Sequence, residues 1–504
     1  MSRFLPQLAV LLGGFAPLAA YAEGNSTLNS FFEGLNGYLA QIIFYDIFPG
    51  DPVMPFIVGW LIAAAVFLTL RFNFVNLRMM RHAYHVIRGH YRTAEDKGEV
   101  TPFQALTTAL SATVGLGNIA GVAIAISIGG PGATFWMIVA GFLGMTTKFT
   151  EATLAQMYRE VRPDGKLMGG AMEYLSRGFA ERNLPQLGKF LAMMFAVFTI
   201  FGSFGAGSAF QVSQSLGAVQ GQIPFFKEQP IAYGLLLAML TGAVIIGGLR
   251  RIAHTAEAIV PTMVLLYVGT CLWIIGSHID LLPAALGKIV TEAFSPVAVA
   301  GGMVGALVQG FKRAVFSSEA GLGSAAIAHS TASVKYPVRQ GLVALYEPFI
   351  DTVVICTMTA LVIVITGVYN SPDTEALRAA SQGAALTAVA FGSVSDFFPI
   401  LLAASVFLFA YSTMISWSYY GERCWVYLFG ERYSMLYKGM FISFIVIASI
   451  TSASSLVDFT DLLVLSMAFP NLIGLYLLSG KVKRALQEYI QKLKSGELDR
   501  ERVS

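Results

Sequence analysis

Residues 104–128 read QALTTALSATVGLGNIAGVAIAISI, and the fold turns on how this stretch is read. It is long and apolar enough to cross a bilayer, which takes about 20 residues at a rise of about 1.5 Å each. Its middle does not suit a continuous helix. Gly115, Gly117 and Gly121 surround Asn118, with Ser111 and Thr113 one turn earlier. Each glycine weakens a helix interior by up to about 1 kcal/mol relative to alanine. A break here frees carbonyls for a cation and N–H groups for an anion. At membrane depth such backbone persists only where it lines a cavity or is buried in protein. Residues 112–119 therefore read as a discontinuous helix at a substrate and ion site. Close helix packing through small residues explains the glycines equally well, so the rest of the chain must decide.

The chain has 504 residues, 55% hydrophobic and 12% charged. That is about half the charge of a soluble globular protein, and it points to an all-α polytopic membrane protein. A net charge of +3 implies no nucleic-acid partner. Cys271, Cys356 and Cys424 lie in or beside apolar spans, fit neither a disulfide framework nor a zinc spacing, and read as packing residues.

Residues 1–22 carry Arg3, an apolar run and Ala20-Tyr21-Ala22 before Glu23. This is the pattern of a secretory signal peptide, with cleavage expected after Ala22 and an uncleaved helix as the alternative. Residues 23–52 then form a periplasmic segment. Eleven apolar spans follow, near 53–70, 104–128, 133–157, 188–216, 231–249, 257–276, 297–330, 341–368, 396–428, 434–453 and 459–479. Basic residues crowd alternate connections: Arg71 to Lys97, Arg159 to Lys189, Arg250 and Arg251, Lys335 and Arg339, Arg432 and Lys438, and the 480–504 tail. The positive-inside rule then puts the mature N-terminus in the periplasm and the C-terminus in the cytoplasm of a bacterial inner membrane. The tail at 481–494 reads as an amphipathic helix on the cytoplasmic surface.

The span at 297–330 settles the first ambiguity. It is too long for one plain crossing and is interrupted by FSSEAGLG at 316–323. With the span at 53–70 set aside, the two interrupted spans open two sets of five, 104–276 and 297–479. Paired interruptions in corresponding positions are the best sequence pointer to a transporter binding site. The first span runs inward to outward and the second the reverse, as an inverted repeat requires.

Ionisable residues inside the membrane need partners or a purpose. Arg313 and Glu319 flank the second interruption and are expected to form a structural ion pair across it. Glu347 and Asp351, four apart, share a helix face; they either pair with a basic residue or line a wet path. Lys148 and Glu151 read as interfacial. Phe409, Ser412 and Thr413 offer a carbonyl and two hydroxyls, a neutral oxygen set suited to a hard cation. Trp417 lies one turn on, and Gln211 is the main polar side chain of its span. No hydrolase triad, P-loop, haem pair or zinc cluster is present, so no enzyme is expected.

The blocks TPFQALTTALSATVGLGNIAGVA (101–123), GGPGATFWM (129–137) and FSSEAGLGSAAIA (316–328) resemble the signature blocks of the alanine or glycine:cation symporter family, and the likeness extends over about 50–480. The resemblance implies the leucine-transporter-type fold, ten core helices in a 5+5 inverted repeat with one extra helix in front. It also implies symport of a small neutral amino acid with Na⁺, or H⁺ as the alternative coupling ion. By position, the carbonyls of Ser111 and Val114, the carbonyl of Phe409 and the hydroxyls of Ser412 and Thr413 would hold Na⁺. The N–H groups of Leu116, Gly117 and Asn118 would take the substrate carboxylate, and carbonyls near Thr113 and Phe316 its ammonium group. Phe316, Gln211 and Trp417 would shape a small pocket. The likeness departs at Ser318, where the family block has Asn. A functional monomer in the lipid bilayer is expected. An ion channel, a further alternative, would need a polar ring or a subunit-symmetric filter.

Overall fold

The computed structural model describes residues 44–46, 53–93, 95–162, 167–295 and 302–500. The signal-peptide reading of 1–22 and nearly all of the 23–52 segment lie outside these residues. Every one of the eleven apolar stretches carries helix: α1 (Phe56–Arg71), the half-helices α2 (Pro102–Thr113) and α3 (Gly117–Gly129), and α4 (Gly132–Tyr158) come first. A short antiparallel pair, β1 (Glu160–Val161) and β2 (Leu167–Met168), and α5 (Ala171–Ala180) lead into α6 (Pro185–Val219). Then come α7 (Pro230–Ile245), α8 (Gly248–Ser277) and α9 (Leu282–Ala293). The second interrupted span is α10 (Gly302–Ser318) and α11 (Ala326–His329), followed by α12 (Pro337–Thr366), α13 (Gly383–Gly392), α14 (Phe398–Phe429), α15 (Ser434–Ala448) and α16 (Ala453–Lys494).

By length and composition, α6, α8, α12, α14 and α16 can each cross a membrane, and the bent pair α2–α3 makes one more crossing. The helices α9 and α13 are elements that the hydropathy pattern did not set apart. The tail at 481–494 is not a separate surface helix. It continues α16 without a break, and Lys481 Nζ is anchored on Glu181 Oε2 at 2.8 Å and on the Tyr158 hydroxyl at 3.0 Å.

Helix starts follow local chemistry. Thr101 caps α2 reciprocally with Gln104: the Gln104 N–H donates to Thr101 Oγ1 at 3.1 Å, and the Thr101 N–H to Gln104 Oε1 at 3.0 Å. Proline opens α2, α6 and α12, where its missing N–H costs nothing. The packing places the two interruptions at the centre. Helix α4 packs on α10 and α12, α6 packs on α14 and α16, and α2 lies against α8 and α14. All three cysteines are free and buried, as packing residues should be.

Candidate substrate and sodium site

The first interruption falls where the glycines cluster. Helix α2 ends at Thr113, residues 114–116 are non-helical, and α3 leaves at 50° to α2, its first turn a wide π-type turn at Gly117–Gly121. The end of α2 is stitched to α14 by reciprocal hydrogen bonds. Ser111 Oγ donates to the Ser412 carbonyl at 2.8 Å, and Thr413 Oγ1 donates to the Ser111 carbonyl at 3.1 Å. Ser412 Oγ donates to the Phe409 carbonyl at 3.0 Å and faces Met263 Sδ at 3.4 Å. Four of the five residues expected around a cation thus meet in one buried cluster of neutral oxygens. Val114 is buried beside them and its N–H closes α2 on the Leu110 carbonyl at 2.7 Å. The donor set is hydroxyls and carbonyls only, which suits a hard monovalent cation such as Na⁺.

Gly115 is required by this approach. A Cβ there would overlap Thr413 Oγ1 and lie 3.3 Å from Gln211 Oε1. The backbone donors beyond it are spoken for differently from expectation. Asn118 Oδ1 accepts the Gly115 N–H at 2.9 Å, and Gln211 Oε1 accepts the Leu116 N–H at 3.1 Å. The Asn118 N–H turns back to the Gly115 carbonyl at 3.2 Å. Gly117 is left as the donor of this turn without an acceptor among the described residues. Of the three N–H groups expected to take a carboxylate, Leu116 is thus held by the Gln211 carboxamide and Asn118 by the Gly115 carbonyl.

Around them lie the apolar candidates. Phe316 meets Phe210 edge-on with ring centroids 4.9 Å apart. Trp417 packs on α6, where a Cβ at Gly207 would come within 2.5 Å of it, and meets Tyr420 with ring centroids 5.7 Å apart. Thr113 Oγ1 back-bonds to the Ala109 carbonyl at 3.2 Å, while its own carbonyl receives the Gly115 N–H at 2.8 Å. Gly207, Phe210 and Gln211 come from α6 and its π-type turn Gly205–Ala209, and Trp417 faces them from α14.

The second interruption corrects one expectation. Arg313 does not pair with Glu319. Its guanidinium grips Asp461 of α16 with two bonds, Nη1 to Oδ1 at 2.8 Å and Nη2 to Oδ2 at 2.5 Å. Lys312 Nζ reaches the same carboxylate at 2.7 Å. The physical reason is backbone direction. Glu319 takes φ 56°, a left-handed conformation, which turns its carboxylate towards the Ser324 hydroxyl inside the loop. Gly321 and Gly323 follow at φ 95° and 84°, where glycine alone is free of strain. Ser318, at the departure from the family block, back-bonds to the Ala314 carbonyl at 2.8 Å.

Lys148 and Glu151 are not interfacial either. Each is 1% exposed. Lys148 Nζ pairs with Glu347 Oε1 at 2.8 Å, and Glu347 Oε2 meets His329 Nε2 at 3.0 Å, so Glu347 takes basic partners. Asp351 joins both interruptions: Asn118 Nδ2 donates to its Oδ1 at 2.7 Å and Ser317 Oγ to the same atom at 3.1 Å. Residues beyond the expected set complete the site. Asn471 of α16 donates to Glu151 Oε1 at 2.7 Å and to the Gly321 carbonyl at 2.9 Å. Asp461 and Asn471 each announce themselves as polar groups in an apolar span, which need partners by the same reasoning applied to Glu347.

The model of the sodium:alanine symporter family matches residues 46–503. The chain is 40% identical over 432 residues to the sodium/alanine symporter AgcS of Methanococcus maripaludis, covering 85% of this chain and 92% of that one. It is 33% identical over 453 residues to the amino-acid carrier protein AlsT of Bacillus subtilis, covering 89% and 92%. Among solved structures it resembles MhsT in complex with L-phenylalanine, with a TM-score of 0.54 over 76% of this chain and 89% of that one at 15% identity. That likeness bears on the fold, which is the leucine-transporter type. These relatives are transporters, not enzymes. The chain belongs to the sodium:alanine symporter family.

Proposed function

We propose that this chain is a Na⁺-coupled symporter of small neutral amino acids, alanine or glycine, that works by alternating access in the bacterial inner membrane. In this reading it is a monomer with eleven crossings, its N-terminus periplasmic and its C-terminus cytoplasmic, and its core is two inverted sets of five. The observation that carries the proposal is the buried oxygen cluster of Ser111, Phe409, Ser412 and Thr413, placed directly against the Gly115 turn.

Na⁺ would take the carbonyl and hydroxyl oxygens that now bond one another, the hydroxyl protons rotating away. Because Thr413 and Gly115 are in contact, filling this cluster fixes the turn whose next N–H groups face Gln211. The substrate carboxylate would be taken at Gly117 and Leu116, with Gln211 moving aside, at the positive end of α3. Phe316 and Trp417 limit the space beyond a methyl side chain. Coupling is then the greater affinity of each ligand for the turn ordered by the other.

Both flanks of the site carry ties that a transport cycle must break. On one side the Arg313–Asp461 pair joins α10 to α16 close to Phe316, whose ring centroid lies 5.7 Å from the guanidinium. On the other, the approach to α2 and the exit from α11 are bridged. The Glu99 N–H donates to the Thr331 carbonyl at 2.9 Å and the Ser333 N–H to the Val100 carbonyl at 2.8 Å. Arg159 clamps this bridge through the Ala332 and Lys97 carbonyls at 2.6 and 2.7 Å. Alternating access in this account opens one tie while the other stays made.

The test is accumulation of labelled alanine by proteoliposomes under an inward Na⁺ gradient, with choline as the control cation. Accumulation that needs Na⁺ and is competed by glycine supports the reading. Equal accumulation in choline under a pH gradient would assign the coupling to H⁺. No accumulation under either gradient would reject the substrate.

A further inference from the structure

We propose that Glu319 and Glu151, grouped around Lys148, form a proton-binding site in the wall of the second interruption, separate from the oxygen cluster at Ser111 and Thr413. The proposal is independent of which amino acid is carried.

It begins with a charge imbalance in a buried place. The ammonium of Lys148 lies 2.8 Å from Glu347 Oε1, and the other Glu347 oxygen meets His329 at 3.0 Å, so Glu347 is fully compensated. The next carboxylates whose charge reaches Lys148 are those of Glu319 and Glu151. Neither has a cation within ion-pair distance among the described residues. Both are 1% exposed, and each carries one oxygen with no hydrogen-bond partner, Oε1 of Glu319 and Oε2 of Glu151. An uncompensated buried carboxylate is strongly disfavoured. A bound cation removes that cost.

The surroundings select a proton over a metal ion. The occupied oxygen of Glu151 accepts from the Gly321 N–H at 3.0 Å and from Asn471 Nδ2 at 2.7 Å, and that of Glu319 accepts from the Ser324 hydroxyl. These partners present hydrogens, and Lys148 adds a full positive charge. A metal ion needs several inward-facing oxygens, whereas a proton needs one. The other titratable groups in reach are Asp351 and Tyr420 beside Glu319 and Tyr174 beside Glu151. Tyr420 brings a further buried hydroxyl without a partner.

The position ties occupancy to movement. Glu319 sits at φ 56°, a conformation strained for a non-glycine residue that persists only when its surroundings enforce it. Glu151 holds the Gly321 N–H, and Asn471 joins Glu151 to the Gly321 carbonyl. Loss of the proton places an extra negative charge against Glu347 and Asp351 and loosens this loop; its return closes it.

Infrared difference spectroscopy on the full-length protein in nanodiscs at neutral pH tests the proposal, with Na⁺ and alanine exchanged for choline. The expected result is a carbonyl-stretch band of a protonated carboxylic acid that changes on exchange and is lost in Glu319→Gln. No such band in the wild type overturns the proposal, and so does a band that survives in both Glu319→Gln and Glu151→Gln. Should Glu319→Gln fail to fold, the wild-type band and Glu151→Gln decide. As a second readout, Na⁺-driven uptake by the wild type should fall at alkaline pH by up to about tenfold per pH unit, while Glu319→Gln is flat; parallel profiles would contradict the assignment. A wild type that shows the band yet binds no alanine would reject the symport reading and leave the proton site standing.

Discussion

Asn118 and Asp351 are locked together across 233 residues of sequence: Asn118 Nδ2 donates to both the carbonyl and Oδ1 of Asp351, at 2.9 and 2.7 Å. The other end of the same amide accepts the Gly115 N–H at 2.9 Å. One side chain therefore sets the turn at the first interruption and fastens it to α12. Asp351 then passes the link to Ser317 at the second. Asn118→Ala should take one hydrogen bond from the Gly115 N–H, which keeps the Thr113 carbonyl, and one from the Asp351 carboxyl, which keeps Ser317 Oγ, each worth about 0.5–1.5 kcal/mol. The expected outcome is a lower melting temperature of the purified protein and loss of alanine uptake, with Asn118→Ser recovering little of either.

Gly115→Ala should act through Thr413, since the new methyl would occupy the space of the Thr413 hydroxyl. The half-saturating Na⁺ concentration for uptake should rise by about tenfold or more, the equivalent of about 1.4 kcal/mol or greater. Gly269→Ala on α8 is the control, because a Cβ there has nothing within 4 Å. It should leave Na⁺ dependence unchanged.

Trp417 is 2% exposed and fills the space against Gly207 of α6. Trp417→Leu should widen the pocket and let larger neutral amino acids compete with alanine. Competition assays with valine, leucine and glutamine measure this. An unchanged specificity profile would move the size limit elsewhere, Phe316 being the next candidate.

The Arg313–Asp461 pair is fully buried, so breaking it from one side should cost about 3–5 kcal/mol. Asp461→Asn should melt well below the wild type. Joint replacement as Arg313→Met with Asp461→Leu should recover part of the stability, since a packed apolar pair often matches a buried ionic one, while Lys312, 17% exposed, loses its carboxylate. Transport by the double variant reports separately on whether the tie must open and close.

The two interruptions were legible because each is local, whereas the meeting of Ser111 with Ser412 and Thr413, 301 and 302 positions away, was implied only by the family resemblance. Glycines at 115, 117, 321 and 323 and hydroxyls at 111, 412 and 413 mark themselves within a few residues. The partner of Arg313 was not, because proximity in sequence favoured Glu319, whereas the left-handed backbone at Glu319 turns that side chain away and Asp461 arrives from 148 positions along the chain. Lys148 and Glu151 misled for a similar reason. Their place near the end of an apolar span suggests an interface, yet α12, α16 and the loop after α10 cover them. Gln211 was legible as a polar side chain in an apolar span, but its occupation of the Leu116 N–H depends on packing that no local pattern encodes.

In the proposed cycle Na⁺ and a small amino acid share a site that Thr413 completes. The most direct measurement is alanine uptake as a function of Na⁺ concentration, wild type beside Thr413→Ala, in proteoliposomes containing equal amounts of folded protein. Saturable, Na⁺-dependent uptake is expected of the wild type, and in the variant a half-saturating Na⁺ concentration raised by about tenfold or more, or no uptake at all. Identical Na⁺ dependence in the two proteins would contradict the shared site.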